Sequence, residues 1–280
     1  MSTPVLSIVI PASNEEARIG PCLASLLSQR GVPNDASLDI IVVANGCRDA
    51  TAAVARAAAP DFGARGWALT VIDRPEGGKI GAINAGDVQA RAGARLYLDA
   101  DVICAPDLIA KLLDALAQPD AVYAGARLIV APCRSGISRR YARFWQRLPF
   151  NTRGVTGAGL FAVNAQGRAR WDRFPPIIAD DAFVRSLFAP SERRRVEADY
   201  LWPLSEGFRD LVRVRRRQDA GVRELGALLP PGADPRPDRP GRVELLRLMV
   251  ADPVGFAVYA AVAAATRVGR SREGWARNRA

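Results

Sequence analysis

An apolar run in "ARLYLDADVICAPDLI", residues 94–109, closes on two aspartates one residue apart, Asp99 and Asp101. In an extended strand residues i and i+2 project to the same side, so the two carboxylates could converge on one ligand. The chain contains no histidine. The pair is therefore a hard, oxygen-only donor set, suited to Mg2+ or Mn2+ with water and phosphate oxygens completing the shell. A cation with a diphosphate beyond it offsets the repulsion between two close carboxylates. The structural alternative has one aspartate capping the helix after Pro106 and the other solvated. Lys79, in the glycine-rich "GGKIGAINAG", is able to meet a phosphate as a point charge, or is a solvated loop lysine. Asn45 and Glu15 stand where a base and a ribose need polar partners, with helix capping as the alternative. Without histidine there is no Ser-His-Asp triad, no imidazole base and no His-ligated metal. Proton transfer near neutrality falls to carboxylates, lysine, tyrosine or cysteine.

These residues are positioned by alternating strands and helices. "LSIVIPA", "LDIIVVANG", "GWALTVID" and "ARLYLDAD" read as strands. "SNEEARIGPCLASLLSQ", "CRDATAAVARAAA", "GGKIGAINAGDVQA" and "APDLIAKLLDALAQ" read as the helices between them. Ser13 or Asn14 is the expected cap of the first helix, with regular helix starting near Pro21. Asp49 is the expected cap of the second. The alternation is that of a parallel sheet covered on both faces. Ligands of such sheets bind beyond the carboxyl ends of the strands. There, Ser13-Asn14-Glu15, Asn45-Gly46, Gly77-Gly78-Lys79 and Asp99/Asp101 fall on one rim. In the second half, "AVYAGARLIVAP" and "TGAGLFAVN" read as strands. "GISRRYARFWQRLPF" and "DDAFVRSLFAP" read as helices, and "SEGFRDLVRVRRRQDAG" carries an arginine run. "LLPPGADPRPDRPG" is a proline-rich linker. "RVELLRLMVADPVGFAVYAAVAAATRVGR" forms two apolar helices broken at Asp252-Pro253.

The chain has 280 residues and a net charge of +10, carried almost wholly by arginine, since only Lys79 and Lys111 are lysines. Arginine-rich, alanine-rich composition is what a GC-rich genome writes; affinity for phosphates or an anionic surface is the sharper reading. Cys22, Cys47, Cys104 and Cys133 form no C-x-x-C pair and suit neither a disulfide framework nor a zinc site. A reducing cytoplasm fits, and the N-terminus lacks the pattern of a signal peptide.

"SIVIPASNEEARI", "DIIVVANGCRDAT", "GGKIGAINAG" and "YLDADV" occur in this order and at a characteristic spacing. Together they resemble the nucleotide-sugar half of family 2 glycosyltransferases with the GT-A fold, over residues 1–220. The resemblance implies that Pro11, Ala12, Ser13 and Glu15 line a nucleoside pocket and that Asn45 stands near base or ribose. It implies Asp99 on ribose or metal and Asp101 on the divalent metal. Many members read Asp-Asp-Gly-Ser where this chain has Ala44-Asn45-Gly46-Cys47, so the choice between UDP and GDP stays open. "TGAGLFAV" and "IADDAFV" match the acceptor half, implying Asp181 as general base and Asp180 as its neighbour. A partly buried carboxylate beside another has a raised pKa, nearer what a base needs. Some members carry Gln-x-x-Arg-Trp further on; "RVRRRQ" lacks both the Gln and the Trp. Arg216 and its neighbours could clamp a leaving diphosphate, bind a lipid-linked phosphate, or form a solvated face.

The expectation is a metal-dependent transferase, α/β with a mostly parallel GT-A (Rossmann-like) sheet flanked by helices and a C-terminal helical appendage. It would use Mn2+ or Mg2+, a UDP- or GDP-sugar, and a glycan or lipid-linked acceptor. Residues 1–225 form the catalytic domain (1–120 for the nucleotide sugar, 121–225 for the acceptor), 226–241 the linker and 242–280 the C-terminal helices. A retaining transferase is one alternative. A nucleotidyltransferase is another, but "PASNEEARI" lacks its phosphate loop. A basic nucleic-acid module is a third, without a recognised nucleic-acid motif. The C-terminal apolar pieces are too short to span a bilayer. They either pack on the domain or rest on the inner leaflet, with Arg242, Arg247, Arg267, Arg270 and Arg272 on lipid phosphates.

Overall fold

The computed structural model of the protein describes residues 5–229 and 240–268. Its strands are β1 (Leu6–Ala12), β2 (Leu38–Asn45), β3 (Ala68–Arg74), β4 (Arg95–Leu98), β5 (Ile103–Cys104), β6 (Tyr123–Val130), β7 (Leu160–Val163) and β8 (Arg193–Trp202). The helices of the first half are α1 (Glu16–Leu27), α2 (Thr51–Ala57), α3 (Ala59–Ala64), α4 (Lys79–Gln89) and α5 (Leu108–Leu116). Then come α6 (Gly136–Trp145), α7 (Pro149–Thr152), α8 (Ala165–Arg168), α9 (Asp180–Ser186), α10 (Phe208–Leu228), α11 (Arg242–Ala251) and α12 (Pro253–Val268).

The strands form one sheet in the order β3-β2-β1-β4-β7-β6-β8-β5. β1 to β4 are mutually parallel. β7 runs antiparallel to β4 and to β6, and β8 runs parallel to β6. The C-terminal ends of β1, β2, β4 and β6 therefore share a rim with the N-terminal end of β7. Every residue of β2 is buried, as a central strand covered on both faces requires. Ile8, Ile10, Ile40 and Val42 pack on the α1 and α5 side; Val9, Ile41 and Val43 pack on the α4 side. α4 lies close on the sheet because residue 86 is glycine: a Cβ there would sit 2.5 Å from Val9 Cγ1.

Four expectations are corrected. α1 begins at Glu16 and Pro21 lies inside it. Neither Ser13 nor Asn14 caps it. Instead Glu15 N donates to Thr51 Oγ1 at 2.8 Å, Glu16 N to Asp49 Oδ2 at 3.1 Å, and Ala50 N to Glu16 Oε2 at 3.1 Å. The N-termini of α1 and α2 thus satisfy each other's open amides, which secures a first turn ahead of the proline. β4 ends at Leu98, and Asp99–Asp101 form a turn closed by Val102 N on Asp99 O at 3.2 Å. β8 and β5, absent from the sequence reading, extend the sheet beyond β6. β8 opens on three arginines and buries only Ala198 and Tyr200, so its hydrophobic alternation is too short to read. Finally, α10 runs to Leu228, into the expected linker, most of which lies outside the described residues, as do Arg270 and Arg272.

The break at Asp252-Pro253 is observed. α11 and α12 meet at a 120° bend, and no single helix among the described residues is long and apolar enough to cross a membrane. α12 packs against α6 and α10: Phe144 contacts Phe256 and Tyr259, and Val262 is fully buried. α11 buries none of its residues.

Candidate active site

Four strand ends of the first half deliver polar groups to the rim. Pro11 and Ala12 end β1, and exposed Ser13 follows. Asn14 takes a left-handed φ of 56° and accepts Arg48 N on its Oδ1 at 2.9 Å, which turns the chain into α1. Asn45 is buried and engaged within the protein. Its Nδ2 donates to Ala12 O at 2.8 Å and to Val43 O, and its Oδ1 accepts Gly78 N at 3.0 Å. It staples the ends of β1 and β2 to the Gly77-Gly78 loop. The tight turn at Gly46 sits under that loop, since a Cβ on Gly46 would be 2.9 Å from Gly77 Cα.

The loop delivers Lys79, first residue of α4, to the centre of the rim. Its Nζ lies 2.9 Å from Asp99 Oδ1 and 3.2 Å from Asp180 Oδ2. One ammonium therefore joins the Asp99 turn of the first half to the acidic start of α9 in the second. Burial pushes the Lys79 ammonium down, but the charges of Asp180, Asp99 and Asp181 outweigh it and hold the pKa above the usual lysine value.

The carboxylates carry the opposite imbalance. Asp101 is pushed up to about 6, first by burial and then by the charges of Asp99 and Glu15, with Arg18 opposing. Glu15 is raised by burial, against its ion pair with Arg18 at 3.3 Å. Asp180 is pushed up to about 6 by burial despite Lys79, and Asp181 is raised for the same reason, with Arg185 and the Ala182 amide also opposing. Asp99 and Asp101 at the end of β4 and Glu15 beyond the neighbouring β1 repel one another, which is the electrostatics of a site that gains from a cation. Among the described residues no three acidic or thiol side chains gather closely enough to hold an ion alone. Asp99 and Asp101 fit a hard cation that takes its remaining ligands from phosphate oxygens and water.

The loop before β7 completes the rim. Asp99 N donates to Gly159 O at 2.9 Å. Gly157 and Gly159 both have φ near 74°, and Cβ atoms there would lie 2.2 Å from Tyr123 Oη and 2.6 Å from Trp202 Cδ1. Glycine at both positions lets the loop rest against Asp181, Tyr123 and Trp202. Tyr200 Oη fixes it by donating to Ala158 O at 2.7 Å. The buried Tyr123 hydroxyl has no hydrogen-bond partner among the described residues.

The structure brings Lys79, Asp99 and Asp180 into direct contact, with Asp101, Glu15 and Asp181 close enough to perturb them. Arg216 is not part of this group. Its Nη2 donates to Ala265 O at 3.0 Å, and Arg215 reaches the hydroxyls of Tyr141 and Tyr259. The inner face of α10 packs on α12 and α6, so these arginines tie helices together where a phosphate clamp was expected. Sequence reasoning missed Trp202 and Trp145, stacked at 5.8 Å beside the loop, with Phe150 edge-on to Trp145. Their only signal was the aromatic spacing of "RFWQRLPF" and "DYLWP".

A sheet of this order, with its carboxylates and lysine on the C-terminal rim, is similar to the GT-A glycosyltransferases. The chain superposes over 98% of its length, and 77% of the other's, on a mannosyltransferase of Pyrobaculum calidifontis (PcManGT) in complex with GDP-Man and Mn2+, with a TM-score of 0.59 at 18% identity. It matches Staphylococcus aureus TarS (residues 1–349) in complex with UDP over 78% of its own length and 65% of that chain, with a TM-score of 0.54 at 14% identity. Residues 7–173 match Glycosyl transferase family 2, and the chain belongs to that family. It is 32% identical over 176 residues to the 4,4'-diaponeurosporenoate glycosyltransferase of Staphylococcus aureus. That match takes in 61% of this chain but 42% of the relative, so the chain spans under half the length of the curated relatives it matches.

Proposed function

We propose that the protein transfers a sugar from a UDP- or GDP-sugar to a hydroxyl of a glycan or lipid-linked acceptor, with inversion at the anomeric carbon. The observation that carries this reading is the Lys79 ammonium held between Asp99 and Asp180. It joins the turn suited to a donor diphosphate to the carboxylates suited to deprotonating an acceptor. The similar structures carry GDP-Man with Mn2+ and UDP, which supports a nucleoside diphosphate as leaving group.

Asp181 removes the proton of the attacking hydroxyl. It is partly exposed and its pKa is raised by burial, which suits a base working near neutrality. Asp180, buried and ion-paired, positions Lys79. Lys79 donates to phosphate oxygens once a donor is present, drawing its charge from the carboxylates to the leaving group. Pro11, Ala12, Ser13 and Glu15 border the nucleoside, and Asn45 holds the floor beneath it. Asp101 and Asp99 would hold Mn2+ or Mg2+, which when bound supplies Lewis-acid stabilisation of the departing diphosphate. We place the protein in the cytoplasm at the inner face of the membrane. The support is α11, whose Val243, Leu246 and Val250 are 66%, 55% and 72% exposed on a helix that also carries Arg242 and Arg247.

The test is a screen of UDP- and GDP-sugars for donor hydrolysis and transfer, with and without Mn2+. Turnover of one nucleotide class that requires the cation is expected. Absence of any nucleotide binding, by thermal shift with UDP or GDP plus Mn2+, refutes the reading.

A further inference from the structure

Outside the rim group, a basic concavity of about 740 Å³ lies between the end of β6 and one face of α6. Arg139, Arg143 and Arg147 line it, and no acidic residue does. Arg139 and Arg143 are one helical turn apart on α6, and Arg147 lies in the turn that follows. Arg139 donates to the carbonyls of Cys133 and Arg134 and forms no ion pair among the described residues. The Arg147 guanidinium has no partner among the described residues. Only Arg143 is paired, its Nε 3.0 Å from Oδ2 of the buried Asp252. Three guanidinium groups set together with one carboxylate among them leave two charges that an oxyanion would match.

Two neighbours of this cavity specify what bears that oxyanion. On its outer side α11 is tied down at both ends, by Glu244 to Arg153 at 2.6 Å and by Asp252 to Arg143. α11 thus runs past the cavity with Val243, Leu246 and Val250 exposed. On its inner side Ala131 N donates to Trp202 O at 2.9 Å, Trp202 lies against Gly159, and Gly159 O accepts Asp99 N. The sequence in space is apolar helix, basic cavity, aromatic wall, reaction centre.

We infer that this cavity holds the acidic group, phosphate or carboxylate, of an amphiphilic acceptor. The acceptor's apolar chain lies along α11 and its hydroxyl-bearing end passes Trp202 toward Asp181. The inference rests on the transferase reading for the hydroxyl end alone; the cavity and α11 define the amphiphile without it.

The test uses the full chain and three probes: farnesyl phosphate, farnesol and inorganic phosphate, with binding followed by calorimetry and by the fluorescence of Trp145 and Trp202. R139A/R147A leaves the Arg143–Asp252 pair intact. It is expected to weaken farnesyl phosphate binding roughly a hundredfold, about tenfold per lost charged hydrogen-bonding group, with farnesol and nucleotide binding unchanged. Unchanged farnesyl phosphate affinity overturns the inference. So does flotation on phosphatidylglycerol vesicles that is lost in the variant while farnesyl phosphate still binds, because the arginines then serve the bilayer. If the double variant does not fold, R147E decides, since Arg147 has no partner to lose; a loss of tenfold or more is expected, and no loss overturns. A wild-type chain that binds farnesyl phosphate but neither UDP nor GDP removes the transferase reading and keeps the cavity. One that binds nucleotide but not farnesyl phosphate does the reverse.

Discussion

Replacing Asp101 by asparagine should stabilise the protein while abolishing its chemistry. The Asp101 carboxyl is pushed from its ordinary 3.8 up to about 6 by burial and by the charges of Asp99 and Glu15. Each pKa unit corresponds to about 1.4 kcal/mol. A rise of roughly two units means that the ionised side chain costs the folded state about 3 kcal/mol, an upper bound for a partly exposed turn. The sign follows from proton counting. Between the ordinary value and about 6 the folded protein binds more protons than the unfolded chain, so stability falls as pH rises through that window. Above about 6 the whole penalty stands. Asp101→Asn removes the charge, so the gain is full at pH 7.5 and vanishes near pH 4. At roughly 2 °C per kcal/mol for a chain of this size, the midpoint at pH 7.5 rises by up to about 6 °C. Urea denaturation and thermal melts of both proteins at the two pH values measure it. Metal-dependent turnover should disappear in the same variant. A variant equally or less stable than the parent at pH 7.5 refutes the strained carboxylate cluster. One with unchanged turnover and metal dependence refutes the site.

Asp181→Asn should lower transfer on the order of a hundredfold to ten-thousandfold while nucleotide affinity holds; a collapse of affinity would make Asp181 part of the donor site. The parent enzyme's rate should fall on the acid side as the Asp181 carboxyl, its pKa raised by burial, takes up a proton; an acid limb of the same shape in the residual rate of Asp181→Asn takes the base role from it. Gly159→Ala forces a Cβ to 2.6 Å from Trp202 at a φ of 74°, so a loss of about 1–3 kcal/mol is expected in denaturant titration; a neutral result removes the glycine argument. V243E/L246E/V250E should abolish flotation on anionic vesicles at moderate salt and shift the melting midpoint little, since these side chains are mostly exposed. A parent chain that does not float removes the membrane reading.

Local pattern was sufficient wherever the signal was continuous. β1 and β2 are apolar over most of their length, broken early by Ser7 and Asp39, which hydrogen-bond each other, because both faces of a central parallel strand are buried, and such a run with a turn signal at its end needs no partner to be read. The rim residues were legible for the same reason: the alternation of strand and helix fixes which ends carry loops. Asp99, Asp101 and Lys79 were thus identifiable by type and place, whereas the Asp180-Asp181 pair was singled out by the family resemblance. Family membership followed from the order of four short motifs, each weak alone.

What the chain could not announce were relations between distant segments. β8 lies 63 residues beyond the end of β6 and is polar over most of its length, so only pairing with β6 defines it. The caps of α1 belong to Asp49 and Thr51, more than thirty residues away, because two helix starts share one corner. Arg216 lies in an arginine run and Lys79 stands alone among glycines, and neither stretch says what its cation meets. Packing of α10 on α12 takes the first to a helix carbonyl. Packing of α4 on the sheet, allowed by Gly86, takes the second between two carboxylates. Composition and periodicity determined the sheet and the identity of its rim groups. Which charges meet, and hence which pKa values move, was decided only by tertiary structure, because electrostatic coupling depends on separation and burial, neither of which is a property of a local stretch of sequence.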